Sequence, residues 1–330
     1  MKAVAIERFG GPRELRLVER PRPRPAAGDV LVRLTYAGVN FIDVYMRNGT
    51  YARSRTYATP LPLTLGMEGA GVVVEVGHGV ANFAPDDRVA YSLVRGSYAE
   101  FVCVPAWKLV HVPKALSLSA AAALMLQGST AHYLTHSCYP IKRGDRALLH
   151  AGAGGVGQLL IQLAKARGAT VIATVGDEEK ARIARERGAD YVVLYRERDV
   201  SEAVRELTGG EGVDVAYDSV GRDTIARSIG SVRRRGTCVL FGASSGSVPA
   251  IDPLELAEAG SIFFTRPHLA DYLANANEIA WRATDLFSAV SSGALHFSID
   301  RTFALDRVAQ AHEQLEARTS RGKFLLAFDA

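Results

Sequence analysis

The sequence predicts an α/β protein of two domains, a compact barrel-like β domain and a doubly wound parallel sheet of six strands. Three observations predict it. The first 120 residues carry short runs rich in Val, Tyr and Phe, set between glycines and prolines. From residue 146 onward, strand-like and helix-like segments alternate without a break. A glycine-rich stretch, "HAGAGGVGQ" at 150–158, lies between the first of those strands and the first of those helices.

Each element follows from local pattern. "DVLVRLTYAG" (29–38), "GAGVVVEVG" (69–77), "DRVAYS" (87–92) and "SYAEFVCVP" (97–105) read as strands with turn residues at their ends. "PRPRPAAGD" (21–29) reads as a stiff surface connection. "SAAAALMLQGSTAHYLTHSC" (119–138) is small, apolar and helical in pattern. The six strands of the sheet are then 147–150, 170–175, 191–194, 213–217, 237–241 and 261–265, with helices at 156–167, 177–187, 201–208 and 222–234 and a loop-rich connection at 242–260. A long helix (271–292), a strand (297–303), a helix (306–318) and the strand "FLLAF" (324–328) close the chain. That tail is too small to stand alone, so it is expected to return to the first domain. The expected division is 1–123 with 267–330 as the first domain and 124–266 as the second.

Composition narrows the function classes. The 330 residues are 48% hydrophobic and 22% charged, with a net charge of +4, as for an ordinary globular chain. No apolar run reaches the roughly 18 residues of a membrane span, and "MKAVAIERFG" lacks the apolar core of a secretory leader. A cytoplasmic protein without a membrane partner is expected. Three separated cysteines exclude a disulfide framework or a four-cysteine zinc knot. "RPRPRP" (20–25) and "RRR" (233–235) lack interleaved aromatics and read as solvated turns, so no nucleic-acid partner is expected. His132 and His136 stand at i, i+4, but "HYLTH" lacks the glutamate of a zinc helix and no third ligand is apparent, so no metal is expected.

The glycines carry the chemistry. Gly152, Gly154 and Gly157 spell G-x-G-x-x-G, with Gly155 and Val156 inside the turn. The helix behind them has an apolar face made by Val156, Leu159, Leu160, Leu163 and Ala164. Without Cβ atoms a phosphate can approach the backbone, and the first amides of the helix point at it. A dinucleotide pyrophosphate is the reading; tight helix-on-strand packing is the plainer alternative. An NAD site places an acid at the end of the second strand. Here Val175 and Gly176 stand there, and Asp177 has the plainer use of capping the next helix. The gap leaves room for a 2′-phosphate met by Lys180, Arg182 or Tyr195, which predicts NADPH; Lys180 as an ordinary surface lysine is the alternative.

Taken together, the motifs match a family. "AGVNFIDVYMRNGTY" (37–51), "LGMEGAGVVVEVG" (65–77), "GSYAEF" (96–101), "LQGSTAHYL" (126–134), "AGAGGVGQLLIQLAKARGA" (151–169), "YDSVGRDT" (217–224), "FGASSG" (241–246) and "TRP" (265–267) cover nearly the whole length. The chain resembles the zinc-independent, zeta-crystallin-like quinone oxidoreductases of the medium-chain dehydrogenase/reductase superfamily. The resemblance implies a GroES-like β-barrel catalytic domain plus a Rossmann six-stranded sheet, NADPH in the cleft between them, and a homodimer. Zinc-dependent relatives carry Gly-His-Glu where this chain has "GMEG"; Met67 replaces the histidine, and a thioether is no substitute for it at Zn²⁺.

Carried over residue by residue, the resemblance puts Asn40 and Asp43 near the nicotinamide and Tyr45 and Tyr51 around the acceptor ring. Gln127 and Thr130 would stand near the cofactor. Gly176, Lys180, Tyr195 and Arg318 would bind the 2′-phosphate. Ser219, Phe241, Gly242, Ser244, Phe264 and Arg266 would line the rest of the nucleotide. Plainer uses stay open: a turn residue for Asn40, a helix cap for Asp43, core or surface rings for Tyr45 and Tyr51, and a solvated helix end for Arg318. Glu68 reads as structural.

The function expected is NADPH-dependent reduction of a quinone or other small electrophilic acceptor by hydride or electron transfer. Two rivals are weighed: a reductase of α,β-unsaturated carbonyls on the same scaffold, and an NADPH-bound structural or RNA-binding protein. Without zinc, hydrogen bonds from Asn40 or Tyr45 must polarise the acceptor.

Overall fold

The computed structural model describes residues 1–328. Its chain forms two compact units. One comprises Met1–Ser129, Leu273–Ala294 and the residues from Ile299 onward; the other comprises Thr130–Tyr272 and Leu295–Ser298. These bounds differ by several residues from the division expected at 123/124 and 266/267.

The first unit is built on the strand Asp29–Val39. Val30, Val32 and Leu34 recur every second residue, the period of one strand face, and meet Val73, Val89, Tyr91, Val102 and Val104 in one core. One edge of the strand pairs antiparallel with Glu68–Val76. Its other edge is shared: Asp29–Arg33 pair with the strand Phe101–Pro105, and Tyr36–Val39 with the C-terminal strand Lys323–Ala327. Ile299–Ala304 lies parallel beside that last strand, while Arg88–Ser92 and then Val110–His111 extend the sheet beyond Glu68–Val76. A separate small sheet orders Arg16–Glu19, Lys2–Ile6 and Leu63–Thr64.

The second unit holds a six-stranded, all-parallel sheet. Its strands run in the order Tyr191–Leu194, Thr170–Val175, Arg146–Leu149, Val213–Asp218, Val232–Leu240 and Phe263–Thr265. In chain order this is 3-2-1-4-5-6, with the reversal between the first and fourth strands, where doubly wound sheets hold their ligands. Leu148, Ile172, Val193, Ala216 and Cys238 line one face, covered by Val200, Ala203, Val204, Ile225 and Ile229 from the helices.

Several elements differ from the sequence reading. The helix expected at 222–234 is only Ile225–Ser231, because Val232 already pairs with Val213 and Arg233 Nε reaches Asp214 Oδ1 at 2.6 Å. The helix expected at 119–138 breaks into Leu118–Leu124 and Gln127–Tyr133, followed by a wider turn at Leu134–Cys138. The loop-rich connection contains a helix, Pro253–Glu258, whose signal was present: Asp252 caps it and Pro253 takes the first helical position. The helix expected from 271 begins at Ala276, where Asn275 accepts the Glu278 N–H at 3.0 Å. A helix absent from the element reading, though Asp43 was weighed as a helix cap, is Phe41–Arg47, which follows the strand Asp29–Val39 directly. Among the described residues no helix is long and apolar enough to cross a membrane.

Leu325 is fully buried and lies opposite Gly38. Leu325→Ala is expected to lower the unfolding free energy by about 2–5 kcal/mol, seen as a lower urea midpoint at unchanged slope.

Candidate functional site

In the first unit the candidate acceptor residues sit on the helix Phe41–Arg47 and the turn after it. Asn40 has extended backbone (φ −137°, ψ 158°) and starts the helix. Its N–H donates to Asp43 Oδ2 at 2.9 Å, so Asp43 does serve as a helix-start partner. The same Oδ2 accepts from the Tyr98 hydroxyl at 2.9 Å, and Tyr98 stands 3.1 Å from His312 Nε2. Arg47 Nη1 lies 3.0 Å from His312 Nδ1, and Arg47 is also paired with Glu316. A guanidinium only donates, which makes Nδ1 the acceptor and puts the ring proton on Nε2. The chain therefore runs one way, from Arg47 through His312 and Tyr98 to Asp43. Asp43 and His312 are fully buried, and Oδ1 of Asp43 has no partner among the described residues.

A second buried cluster holds the Asn40 side chain. Its Nδ2 donates to Glu68 Oε2 at 2.9 Å and its Oδ1 accepts from Lys323 Nζ at 2.7 Å, while Lys323 and Glu68 pair at 2.5 Å. Sequence reading took Glu68 as structural and passed over Lys323. A signal existed: a lysine opening the apolar run "KFLLAF" must either reach solvent or find a buried acid.

The aromatic residues group together. The Tyr45 ring lies 6.0 Å from Phe41 and 5.3 Å from Tyr51, and Tyr51 stacks on Tyr57 at 5.2 Å and 23°. Tyr57, buried and not anticipated, completes a row of four rings. Arg95 Nη1 closes the loop behind it through the Ala58 carbonyl. Gln127 opens the helix Gln127–Tyr133 and Thr130 follows one turn later. Arg318 is exposed just past the helix Val308–Glu316, at φ +57°.

In the second unit the glycine turn has the geometry of a phosphate cradle. Ala151 takes φ +57° as the chain leaves the strand Arg146–Leu149. A Cβ on Gly157 would sit 2.2 Å from the Ala151 carbonyl oxygen, and one on Gly152 would sit 2.9 Å from Ala173 Cβ. The helix Gly155–Ala166 opens on Gly154 with no side-chain cap, so its opening amides have no internal acceptor. Gly155 and Val156 form its first turn. Beneath the turn, His150 Nδ1 contacts Thr174 Oγ1 at 2.9 Å and Nε2 contacts Ser228 Oγ at 3.0 Å; Ser228 donates to Asp218 Oδ2 at 2.6 Å. Burial holds His150 below the usual histidine range, hence neutral. Asp218 Oδ1 also accepts from the N–H groups of Val220 and Gly221, fixing the loop that carries Ser219. Gly242 packs on it: a Cβ there would lie 2.4 Å from the Ser219 carbonyl oxygen. The Phe241 N–H donates to Asp218 O at 2.8 Å and the Ser244 N–H to Ser219 O at 3.3 Å. Phe264 pairs with Cys238, and Arg266 Nη1 donates to the Pro267 carbonyl.

At the end of the second strand Asp177 accepts the Lys180 N–H at 2.9 Å and caps the helix Glu178–Glu186. A Cβ on Gly176 would lie 2.8 Å from Tyr195 Oη and 3.5 Å from Arg196 Cζ. Tyr195 and Arg196 thus close over Gly176. Arg196 is a cation the sequence reading did not name, because only strand pairing brings residue 196 beside residue 176.

These features define a dinucleotide-dependent oxidoreductase of the medium-chain type. Residues 26–114 match the alcohol dehydrogenase GroES-like domain, and residues 155–288 match the zinc-binding dehydrogenase model. The chain is 42% identical over 328 residues to a Burkholderia sp. protein named 2-haloacrylate reductase, with 98% of each covered. It is 40% identical over 326 residues to quinone oxidoreductase 1 of Escherichia coli, again with 98% of each covered. The structure of E. coli quinone oxidoreductase complexed with NADPH matches with a TM-score of 0.96 over 99% of this chain and 100% of that one, at 40% identity. The chain belongs to the zinc-independent quinone oxidoreductase family of the medium-chain dehydrogenase/reductase superfamily. Despite the name of the second family model, no group of three or more His, Cys, Asp and Glu is placed to hold a metal ion among the described residues. His132 and His136 stack on each other at 4.0 Å instead.

Burial pushes the Asp43 carboxyl up to about 7, against the opposing pull of the Asn40 N–H and the Tyr98 hydroxyl. Burial, with Arg47 beside it, pushes His312 down to about 3. Between about pH 4.5 and 6 the unfolded chain holds a proton on this histidine and none on the aspartate; the folded chain does the reverse. Proton numbers match, so the pair leaves stability flat in that window. Asp43→Asn removes the balance. The unfolded state then binds one more proton, and stability is expected to fall by about 1.4 kcal/mol per pH unit as the pH drops through the window, measured by urea unfolding at several pH values.

Proposed function

We propose that the chain is an NADPH:quinone oxidoreductase that works without a metal. The observation that carries the reading is the pair of glycine sites in the second unit: a capless helix start at 154–157, and Gly176 beneath Tyr195 and Arg196 where an NAD site would carry an acid. The name and bound NADPH of the E. coli relative support it.

The residues present fit the cofactor. The amides at 155–157 hold the pyrophosphate, and the 2′-phosphate lies beside Gly176, met by Tyr195, Arg196 and Lys180. Ser219, Phe241, Gly242, Ser244, Phe264 and Arg266 line the remainder, and Gln127 and Thr130 stand at its nicotinamide end. The cofactor, when bound, supplies a hydride at its nicotinamide ring. The protein orients the acceptor, excludes water and stabilises negative charge on the acceptor oxygen. Tyr45 and Tyr51, with Tyr57 behind them, form an apolar wall suited to a flat conjugated ring. Asn40 donates to the acceptor carbonyl, and Asp43 holds the helix that presents Asn40 and Tyr45. Overall, quinone, NADPH and one proton give hydroquinone and NADP⁺.

A second acceptor class has its own support. The 42%-identical relative is named for reduction of a haloacrylate, an activated C=C bond beside a carboxylate. The same hydride and the same carbonyl-directed hydrogen bond serve a conjugated alkene. We also place the enzyme in the cytoplasm as a homodimer. Phe263, 65% exposed on the edge strand of the six-stranded sheet, and the exposed Leu254 supply an apolar surface for a second copy.

NADPH is expected to bind at least tenfold tighter than NADH, in keeping with about 1.5–3 kcal/mol for a charged hydrogen bond; Lys180→Ala and Arg196→Ala should each narrow the gap in calorimetric titrations. Equal affinities for the two nucleotides would overturn the cofactor assignment. In steady-state assays 1,4-benzoquinone and 9,10-phenanthrenequinone should give kcat/KM at least about tenfold above 2-chloroacrylate or an alkenal, a preference of about 1.4 kcal/mol. The reverse order would favour the second reading.

A further inference from the structure

The cluster around Asn40 has a chemical direction. Asn40, Glu68 and Lys323 are at most 3% exposed. An ammonium only donates, so the amide atom 2.7 Å from Lys323 Nζ is Oδ1; an ionised carboxylate only accepts, so the atom 2.9 Å from Glu68 Oε2 is Nδ2. The two neighbours thus agree on one orientation of the carboxamide. Nδ2 has two N–H groups and gives one to Glu68, which leaves the other outside the network. The ammonium on Oδ1 draws electron density from the amide and strengthens that remaining donor.

The position of the cluster is as constrained as its orientation. A Cβ on Gly38 would lie 1.9 Å from Glu68 Oε2 and 2.8 Å from Lys323 Nζ, so the ion pair rests against bare backbone. Lys323 begins the strand whose Phe324 and Leu325 pair with Val39 and Gly38, the two residues before Asn40. The other oxygen of Glu68 accepts the N–H of Leu126, one residue before Gln127.

We propose that Lys323 is a positioning residue of the acceptor site: paired with Glu68, it fixes the Asn40 carboxamide so that its remaining N–H donates to the acceptor's carbonyl oxygen. The proposal rests on the reading of Asn40 as an acceptor-site residue. A merely structural ion pair would affect stability and leave turnover of folded enzyme unchanged.

The test is a mutant cycle on the full-length enzyme, with 1,4-benzoquinone at saturating NADPH and with NADPH affinity measured separately by fluorescence. Glu68→Gln with Lys323→Met removes both buried charges together, so neither is left unpaired. This pair variant is expected to lose about tenfold in kcat/KM, the scale of one weakened hydrogen bond to developing charge, with NADPH affinity within about twofold. Added to Asn40→Ala, it should cost nothing further. Glu68→Gln alone keeps the Lys323–Asn40 contact and should fall less than the pair variant. Wild-type kcat/KM in the pair variant would overturn the proposal. So would the same loss with and without Asn40, or a loss in Glu68→Gln equal to that of the pair. Full activity in Asn40→Ala would instead overturn the acceptor-site reading itself.

Discussion

Backbone pairing along Asp29–Val39 is the constraint on which the candidate acceptor site depends. The strand gives one whole edge to Glu68–Val76 and divides the other between Phe101–Pro105 and Lys323–Ala327. It then ends at Asn40. Residues 40, 68 and 323, nearly 300 positions apart in the chain, therefore meet because their strands are neighbours in one sheet. The same pairing leaves no space for a side chain at Gly38. A slip by one residue would turn Glu68 and Lys323 to opposite faces and leave two buried charges unpaired, a far larger penalty than the slip itself.

The first unit handles buried polarity in two ways. Around Asn40 it pairs opposite charges and satisfies the acid on both oxygens. Around Asp43 it uses a one-way chain of donors that ends on a carboxyl burial has pushed towards neutrality. Both arrangements act on the seven-residue helix Phe41–Arg47. So short a helix has little stability of its own, and its rigidity comes from these side chains.

The second unit depends on what its glycines omit. The turn at 152–157 is tight enough that backbone oxygens occupy the places of side chains, and the helix it opens has no cap of its own. His150, Thr174, Ser228 and Asp218 tie the ends of the first, second and fourth strands beneath that turn. The glycine turn thereby rests on a rigid edge of the sheet.

Periodicity and turn chemistry alone were enough for the alternating strands and helices, the parallel sheet, the glycine turn and the place where an NAD site would carry an acid. These are local properties: apolar spacing follows the geometry of each element, and a glycine turn declares itself within six residues. Where local signals conflicted, the reading slipped, as at Val232, where pairing with Val213 extends a strand into an expected helix. The resemblance singled out Asn40, Asp43, Tyr45 and Tyr51 as candidates, but the residues they contact were not legible. Glu68 with Lys323, Tyr98 with His312, Tyr57 against Tyr51 and Arg196 beside Gly176 are contacts between distant segments. By itself, then, the sequence determined the alternation of the parallel sheet and the position of the glycine turn, while some helices and their bounds escaped it. Only the tertiary structure decided which charges and rings meet, because strand pairing and burial select those partners and neither is written in local spacing.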